Sequence, residues 1–326
     1  MRRWAMVLVV LIVLTSIPSP AAARERIKGI YSAISGIFTG MWVAKEAELY
    51  ERHGLSMELV YIPAASKVVQ AMLGGEAPLA LSGGKAVVDA NLAGADLVIF
   101  GGAANVPAFY LMARPEINSI QELKGKPVGV TRAGSSTDFT MRYVLKKFGL
   151  EPDKDVPILQ IGGMPELAAA ISQGIIVAAP FSSPTNLRAQ KVGAKVLIDM
   201  GKAGVPFQHT GLLTRRPYLK TNEDVVRRFL KAYAEGVHLF HAQKEMAKKV
   251  IGKYTRTTDP EMLEATWQYA VDYVEKIPYP TRDGLREPIA QSVHPRARTA
   301  HPDMFVDDRL VQELEQQGFF RKLWGK

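Results

Sequence analysis

The residues best placed to do chemistry form one run, Val128-Gly-Val-Thr131-Arg-Ala-Gly134-Ser135-Ser136-Thr137-Asp138, which leads directly into Phe139-Thr-Met-Arg-Tyr143-Val144-Leu-Lys-Lys-Phe148-Gly149. A short β-rich segment (Pro127 to Thr131) enters a Gly/Ser loop, and the loop opens a helix whose apolar residues Phe139, Tyr143, Val144 and Phe148 recur near a 3.6-residue period. The first N–H groups of such a helix lack internal partners and carry the positive end of its dipole, so they suit an anionic or carbonyl-bearing ligand. Ser135, Ser136 and Thr137 add hydroxyls that can cap the helix or reach a ligand, with Ser136 or Thr137 as N-cap in the capping case. Residue types alone leave both roles open.

Such a loop needs elements to hold it, and the chain has the length for them. Its 326 residues, 47% hydrophobic and 22% charged, can bury a substantial core and build two lobes. With no cysteine, the chain can hold no disulfide, thiolate zinc site, iron–sulfur cluster or Cys nucleophile. Arg2 and Arg3, the apolar run Trp4 to Leu14, and Pro18, Pro20 and Ala21-Ala22-Ala23 before Arg24 predict a signal peptide cleaved after Ala23. The run is short for a membrane span, and without a cysteine behind it the mature protein is expected to be exported and soluble, not a lipoprotein. The formal charge of +9 falls to +7 once Arg2 and Arg3 leave with the signal. Because Lys and Arg are scattered, that charge predicts a solvated basic surface and no nucleic-acid partner.

Along the mature chain one grammar repeats. Arg26 to Tyr31 reads as a strand, Ser32 to Gly40 as a loop, and Met41 to Glu51 as a helix stopped by His53-Gly54. Leu55 to Ile62 is the next strand, which predicts a parallel β-α-β unit with a right-handed crossover. A helix (Ser66 to Leu73), a strand (Leu79 to Leu81) ending at Ser82-Gly83-Gly84, a helix (Lys85 to Leu92) and a strand (Asp96 to Gly101) follow. Phe109 to Ala113 leaves this lobe, and Ser119 with Glu122 predicts a small capping-box helix. A second α/β unit runs through strands at Pro127–Thr131, Asp155–Ile161, Ile175–Pro180 and Lys195–Ile198, with helices at Phe139–Phe148, Met164–Gln173 and Pro184–Val192. Gln208 to Thr214 is a second crossing. Beyond it, Asn222–Lys244 is a long amphipathic helix, further helices are expected at Glu245–Lys253, Pro260–Val274 and Asp307–Gln317, and Pro278 to Pro302 reads as irregular. In an open α/β sheet ligands bind beyond the carboxyl ends of strands, so Ser35, Phe38, Ser82 and Gly83 join the loop as candidates, with Ser182, Asn105 and Phe181 at other strand ends. Phe38 and Phe181 suit ordinary core packing equally well, and Arg132 suits solvent as well as an anion. The histidines are scattered; His238 and His241, three apart on the long helix, fit a half-exposed helix face better than a metal pair. Ser182 in Phe-Ser-Ser-Pro makes no nucleophile elbow.

Specific stretches carry a family resemblance: Trp42-Val-Ala-Lys-Glu-Ala, Leu49-Tyr-Glu-Arg-His-Gly-Leu55, Leu123-Lys-Gly-Lys-Pro to Asp138, Leu145-Lys-Lys-Phe-Gly-Leu150, and Met164-Pro-Glu-Leu-Ala-Ala-Ala-Ile171 after a Gly-Gly pair. From Arg26 to Gln317 the chain resembles the substrate-binding proteins of ABC importers in the SsuA/NMT1/THI5-like group. The resemblance implies the two-lobed periplasmic binding protein fold (type II), with residues 24–112 plus 212–326 as lobe 1, residues 113–211 as lobe 2, and the helical C-terminal segment packed on lobe 1. It implies a monomeric periplasmic receptor that takes a small organic, anionic or carbonyl-bearing ligand between its lobes and delivers it to a membrane permease and ATPase, with no catalysis, cofactor or metal. The ligand would meet Ser35, Phe38, Ser82, Gly83 and Asn105 on one wall and Thr131, Gly134, Ser135, Ser136, Thr137 and Ser182 on the other. A sensory receptor for a membrane partner is the alternative, and a pyrimidine-synthase-like enzyme a weaker one, since those relatives use a Cys-rich stretch that this chain lacks. Two departures stand out: Pro78 and Val177 occupy positions where the family usually has an Asp.

Overall fold

The computed structural model describes residues 24–325, so the expected signal peptide lies outside the described residues. The first strands are β1 (Glu25–Tyr31), β2 (Leu55–Tyr61), β3 (Leu79–Ser82) and β4 (Leu97–Ala104). β1 pairs in parallel with β2, from Glu25 opposite Leu55 to Tyr31 opposite Tyr61, and on its other side with β3. The second set is β5 (Tyr110–Ala113), β6 (Val128–Val130), β7 (Ile158–Gln160), β8 (Ala178–Phe181) and β9 (Lys195–Asp199), followed by β10 (Thr210–Arg215). Two five-stranded sheets result, with orders β2-β1-β3-β10-β4 and β7-β6-β8-β5-β9.

The chain changes sheet twice. After the first crossing β5 inserts antiparallel between β8 and β9, and after the second β10 inserts antiparallel between β3 and β4. β4 is buried at every residue, as its continuous Leu-Val-Ile-Phe run requires. Its free edge is covered by the C-terminal segment, where Ile99 N–H donates to Phe305 O and Asp307 N–H to Ile99 O. One apolar cluster joins the first sheet to the helix Glu223–Ala242, on which Phe229 stacks with Tyr50 at 5.4 Å, so the helical C-terminal segment packs on the first lobe. A second cluster fills the other face of that sheet, and a separate one lies within the second lobe.

Three local expectations change. Ser119 and Glu122 do interact (3.2 Å), but they close only a single 3-10 turn, Gln121–Leu123, because Gly125 (φ 73°) and Pro127 end it. The strand expected from Asp155 shrinks to Ile158–Gln160. The stretch 278–302 is not wholly irregular: Asp283–Ala290 is a helix with Pro288 inside it. Proline there deprives the Gly284 carbonyl of its usual donor, and the Gln208 N–H supplies one instead at 3.1 Å.

Candidate ligand-binding cleft

The parallel strands of both sheets run their carboxyl ends toward one gap, and each hands the chain to a helix there. Five helices of eight or more residues begin at that gap: Thr39–Glu46 after Phe38, Ala65–Leu73 after Ala64, Gly84–Leu92 after Gly83, Ser136–Lys147 after Ser135, and Met164–Ser172 after Gly163. Residues at those starts (Phe38, Ala64, Ala65, Gly83, Ser135, Ser136, Thr137, Gly163 and Met164), with Ser32, Ala33, Ser35, Phe109, Thr131, Ser182, His209 and Thr210, line a cavity of about 40 Å³. Among the described residues no Asp, Glu, Lys or Arg borders it, so its polarity comes from N–H groups, hydroxyls and one imidazole.

In the Gly/Ser loop Ser135 is the N-cap, one residue before the position expected, and its Oγ lies 3.5 Å from the Asp138 N. The Asp138 carboxylate accepts the Gly134 N–H at 2.9 Å and is held by Arg142 at 2.7 Å. Capping therefore occupies part of the loop, while three hydroxyls form a triangle: Thr131 to Ser135 at 2.9 Å, Thr131 to Thr137 at 2.8 Å, and Ser135 to Thr137 at 2.8 Å. Ser135 donates its proton to Arg132 O at 2.7 Å, and Thr137 Oγ1 accepts the Thr131 N–H at 3.0 Å. The two remaining protons serve three contacts, so these hydroxyls can turn toward an anion without leaving a buried oxygen unpaired. Ser182 Oγ, buried at the end of β8 and bordering the cavity, has no hydrogen-bond partner among the described residues.

Of the residues singled out in the sequence, the structure brings Ser35, Phe38, Gly83, Thr131, Ser135, Ser136, Thr137 and Ser182 around this one cavity. Phe38 also belongs to an aromatic cluster, 5.9 Å from Tyr31 and 6.2 Å from Trp42. Ser82 is buried beside Gly83 but does not border the space. Gly134, at φ 72°, turns away: a Cβ on it would lie 3.1 Å from Asp89 Oδ2. Asn105 instead ties the hinge, donating to Tyr279 O (2.9 Å) and accepting from Gln208 Nε2 (3.1 Å). Phe181 is buried in the second lobe's core, and His238 and His241 pack edge-on against Trp324. Pro78 and Val177 immediately precede β3 and β8, at the ends opposite Ser82 and Ser182, so the missing acids do not touch the cavity.

Sequence reasoning passed over His209, Phe109 and Ala64-Ala65. The Gly162-Gly163 pair before Met164-Pro165-Glu166 was the legible sign of a fifth helix start. His209 accepts the Ala108 N–H on Nδ1 at 2.9 Å, and burial pushes it down to about 4, so it is neutral near pH 7. Contacts cross from the second sheet's side to the first: Ser136 Oγ donates to His209 O, just before β10 of the first sheet (3.2 Å), Gly36 N–H to Ser183 O (2.9 Å) and Arg188 to Thr255 O (2.6 Å).

The family model described as NMT1/THI5 like matches residues 36–247, well over half of the chain. The chain belongs to the NMT1/THI5-like family. This NMT1/THI5-like protein is 23% identical over 236 residues to a Bacillus subtilis strain 168 protein named "Putative binding protein YtlA", covering 70% of each chain. It is 25% identical over 283 residues to an Escherichia coli K12 protein named "Putative aliphatic sulfonates-binding protein", covering 83% of this chain and 82% of that one. Its fold matches the periplasmic nitrate-binding protein NrtA of Synechocystis PCC 6803 with a TM-score of 0.72 at 13% identity, over 90% of this chain and 89% of the other. The two-lobed binding-protein architecture is thus shared.

Proposed function

We propose that this NMT1/THI5-like protein is an extracytoplasmic solute receptor that captures a small organic anion by its oxyanion head and delivers it to an ABC importer, without transforming it. One observation carries the reading: helix starts from both lobes converge on a cavity that holds an unpartnered buried hydroxyl, Ser182, and no charged side chain. Each helix start brings a partial positive charge, and the first-turn N–H groups not already taken, as Gly84's is by Gln208 O and Asp138's by Ser135 Oγ, together hold one negative charge without a counter-ion. A volume of about 40 Å³ is room for roughly three waters, the size of a three-oxygen head such as a sulfonate or nitrate. Relatives named for sulfonates and nitrate support that class. The ligand contacts we assign are Ser35, Phe38, Gly83, Thr131, Ser135, Ser136, Thr137 and Ser182. The cavity offers no carboxylate pair and no activated nucleophile, which supports binding over catalysis.

The test is a thermal-shift and calorimetric screen of nitrate, methanesulfonate, butanesulfonate, benzenesulfonate and acetate beside neutral sugars and metal cations. A ligand at a hundred times its Kd adds about 2.7 kcal/mol of stability, a plain rise in Tm. At least one oxyanion should give it. If the oxyanions are silent and a sugar or cation stabilises the protein, the anion reading is wrong.

A further inference from the structure

Among the described residues His209 is the one titratable side chain that borders the cavity. It stands in the second crossing and touches every part of the hinge. Its backbone N–H donates to Ala104 O at 3.0 Å, at the end of β4, and its carbonyl accepts Ser136 Oγ at 3.2 Å from the second lobe. Its ring lies 4.4 Å from the Phe109 ring and 6.2 Å from Phe207, centroid to centroid. Nδ1 accepts the Ala108 N–H of the first crossing at 2.9 Å.

That last contact points to one tautomer, with the Ala108 N–H shared between Nδ1 and Val106 O at 2.8 Å. An N–H can donate to Nδ1 only through its lone pair, so the neutral ring carries its proton on Nε2. Protonating Nδ1 would set two N–H groups against each other. The elements around the ring offer no charge to stabilise a cation: Ala108 and Phe109, Phe207, Gln208 and Thr210, Ser136 and Phe139, and Gly83 are all uncharged. The nearest charged residues along those helices are committed elsewhere, Lys85 to Asp89 and Asp138 to Arg142. Nε2 makes no side-chain hydrogen bond among the described residues, and the Val106 carbonyl lies by the ring, where it works against the effect of burial.

We propose that His209 is a specificity-determining donor of the cleft: its Nε2–H, fixed in that tautomer by Ala108, hydrogen-bonds an oxygen of the anion as a neutral group, so the ligand is captured without exchange of a proton. This rests on the anion reading above and adds a selection rule. A neutral imidazole locked in this way donates and cannot accept at Nε2, so it favours a head group that turns an unprotonated oxygen to it, a sulfonate or nitrate, over a head that presents only a hydroxyl or ammonium hydrogen there. Such a head would point hydrogen at hydrogen there, with a cost of the same order as an unmade buried hydrogen bond.

Three measurements test it. Nitrogen-15 NMR of the ligand-free protein should show His209 as the Nε2–H tautomer from pH 8 to pH 5.5; an imidazolium or an Nδ1–H tautomer at pH 7 overturns the proposal. Calorimetric titration with methanesulfonate and with nitrate at pH 7, in phosphate and in Tris, should give the same heat after correction for dilution, because no proton is taken up. Uptake of about one proton per anion overturns it. The His209→Asn variant keeps an oxygen to accept the Ala108 N–H but has no donor at the Nε2 position, its amide N–H groups stopping short of it, so it should bind about tenfold more weakly with the ligand-free Tm nearly unchanged, and His209→Gln should recover part of the loss. If the wild type binds neither anion, the anion reading falls and takes this inference with it. If the wild type binds one and His209→Asn binds it equally well, only the role of His209 is refuted.

Discussion

Replacing Gly83 with alanine should weaken ligand capture without damaging the fold. Gly83 has φ −69° and ψ 130°, a backbone any residue adopts, so the substitution brings no local strain. An added Cβ would lie 2.5 Å from Ser136 Oγ on the opposite lobe and 3.0 Å from Ala65 Cβ on its own. The Ala65 contact is relieved by a shift of a few tenths of an ångström. The Ser136 contact is relieved only by opening the lobes or by turning Ser136 away from His209 O, its partner at 3.2 Å. Overpacking of this kind costs about 1–3 kcal/mol and a lost hydrogen bond about 1 kcal/mol. Taking about 1–2 kcal/mol against the closed form alone, Kd rises by about 5- to 30-fold. Calorimetry with methanesulfonate reads the affinity, and small-angle scattering reads whether saturating methanesulfonate leaves the variant less contracted than the wild type. Adding Ser136→Gly to Gly83→Ala restores the room and should recover part of the loss. Unchanged affinity with full contraction in the single variant would refute closure by direct contact of these two helix starts.

Ser182→Ala removes a buried hydroxyl with no partner, so urea denaturation of the ligand-free protein should show equal stability or a gain of up to about 1 kcal/mol, while methanesulfonate affinity falls; a clear loss of stability would mean the oxygen was already satisfied. Burial pushes both His209 and His241 down to about 4, so the folded state keeps them neutral while an unfolded chain takes up protons near pH 6.5. Their contribution is therefore complete above pH 6.5 and lost as the pH falls from 6.5 to 4, and His209→Asn should flatten that decline in urea midpoints measured at pH 7.5, 5.5 and 4.5. The Arg282 fork binds Asp308 at 2.8 and 3.2 Å and holds its carboxyl below the usual range. That contribution is present above about pH 4 and lost as the pH falls through the depressed value, and Asp308→Asn should cost about 1–3 kcal/mol at pH 7; a cost under about 0.5 kcal/mol would show the pair to be merely superficial.

Much of this arrangement was legible because parallel β-α-β units write themselves locally. β1, the loop through Ser35, the helix Thr39–Glu46 and β2 follow one another in sequence, and hydrophobic period and caps mark each boundary. Ser135 to Thr137 could be placed at a helix start for the same reason. What the period cannot say is which side of a loop faces inward: Gly134, one residue from the N-cap, turns to Asp89 because its φ of 72° reverses the chain. Asn105 sits at a strand end like the other candidates, but its amide is spent on Tyr279 and Gln208, which only tertiary structure brings near. His209 carries no local signal, since its role needs Ala108, about a hundred positions earlier, to fix its ring. The insertions of β5 and β10 into the sheet across the hinge are likewise non-local pairings. The helix around Pro288 was hidden by a residue that ordinarily ends helices, tolerated because a distant N–H takes up the carbonyl it orphans.

That distant N–H belongs to Gln208, whose side chain also accepts the Thr281 N–H at 2.7 Å and donates to Thr210 O at 3.0 Å, while its carbonyl accepts the Gly84 N–H at 3.2 Å. The start of β10, the helix Gly84–Leu92 and the C-terminal segment are thereby bolted into one body. Asn105 and Phe207 belong to the same body, through Tyr279 O, Gln208 Nε2 and the Phe207 N–H to Asn105 O at 3.1 Å, so any movement of the second lobe would turn on residues 106–107 of one crossing and 200–206 of the other. A fluorophore pair for following such a movement belongs across the gap between the lobes, at Tyr61 and Gly162, since Tyr61 Oη lies beside the neighbouring Gly163.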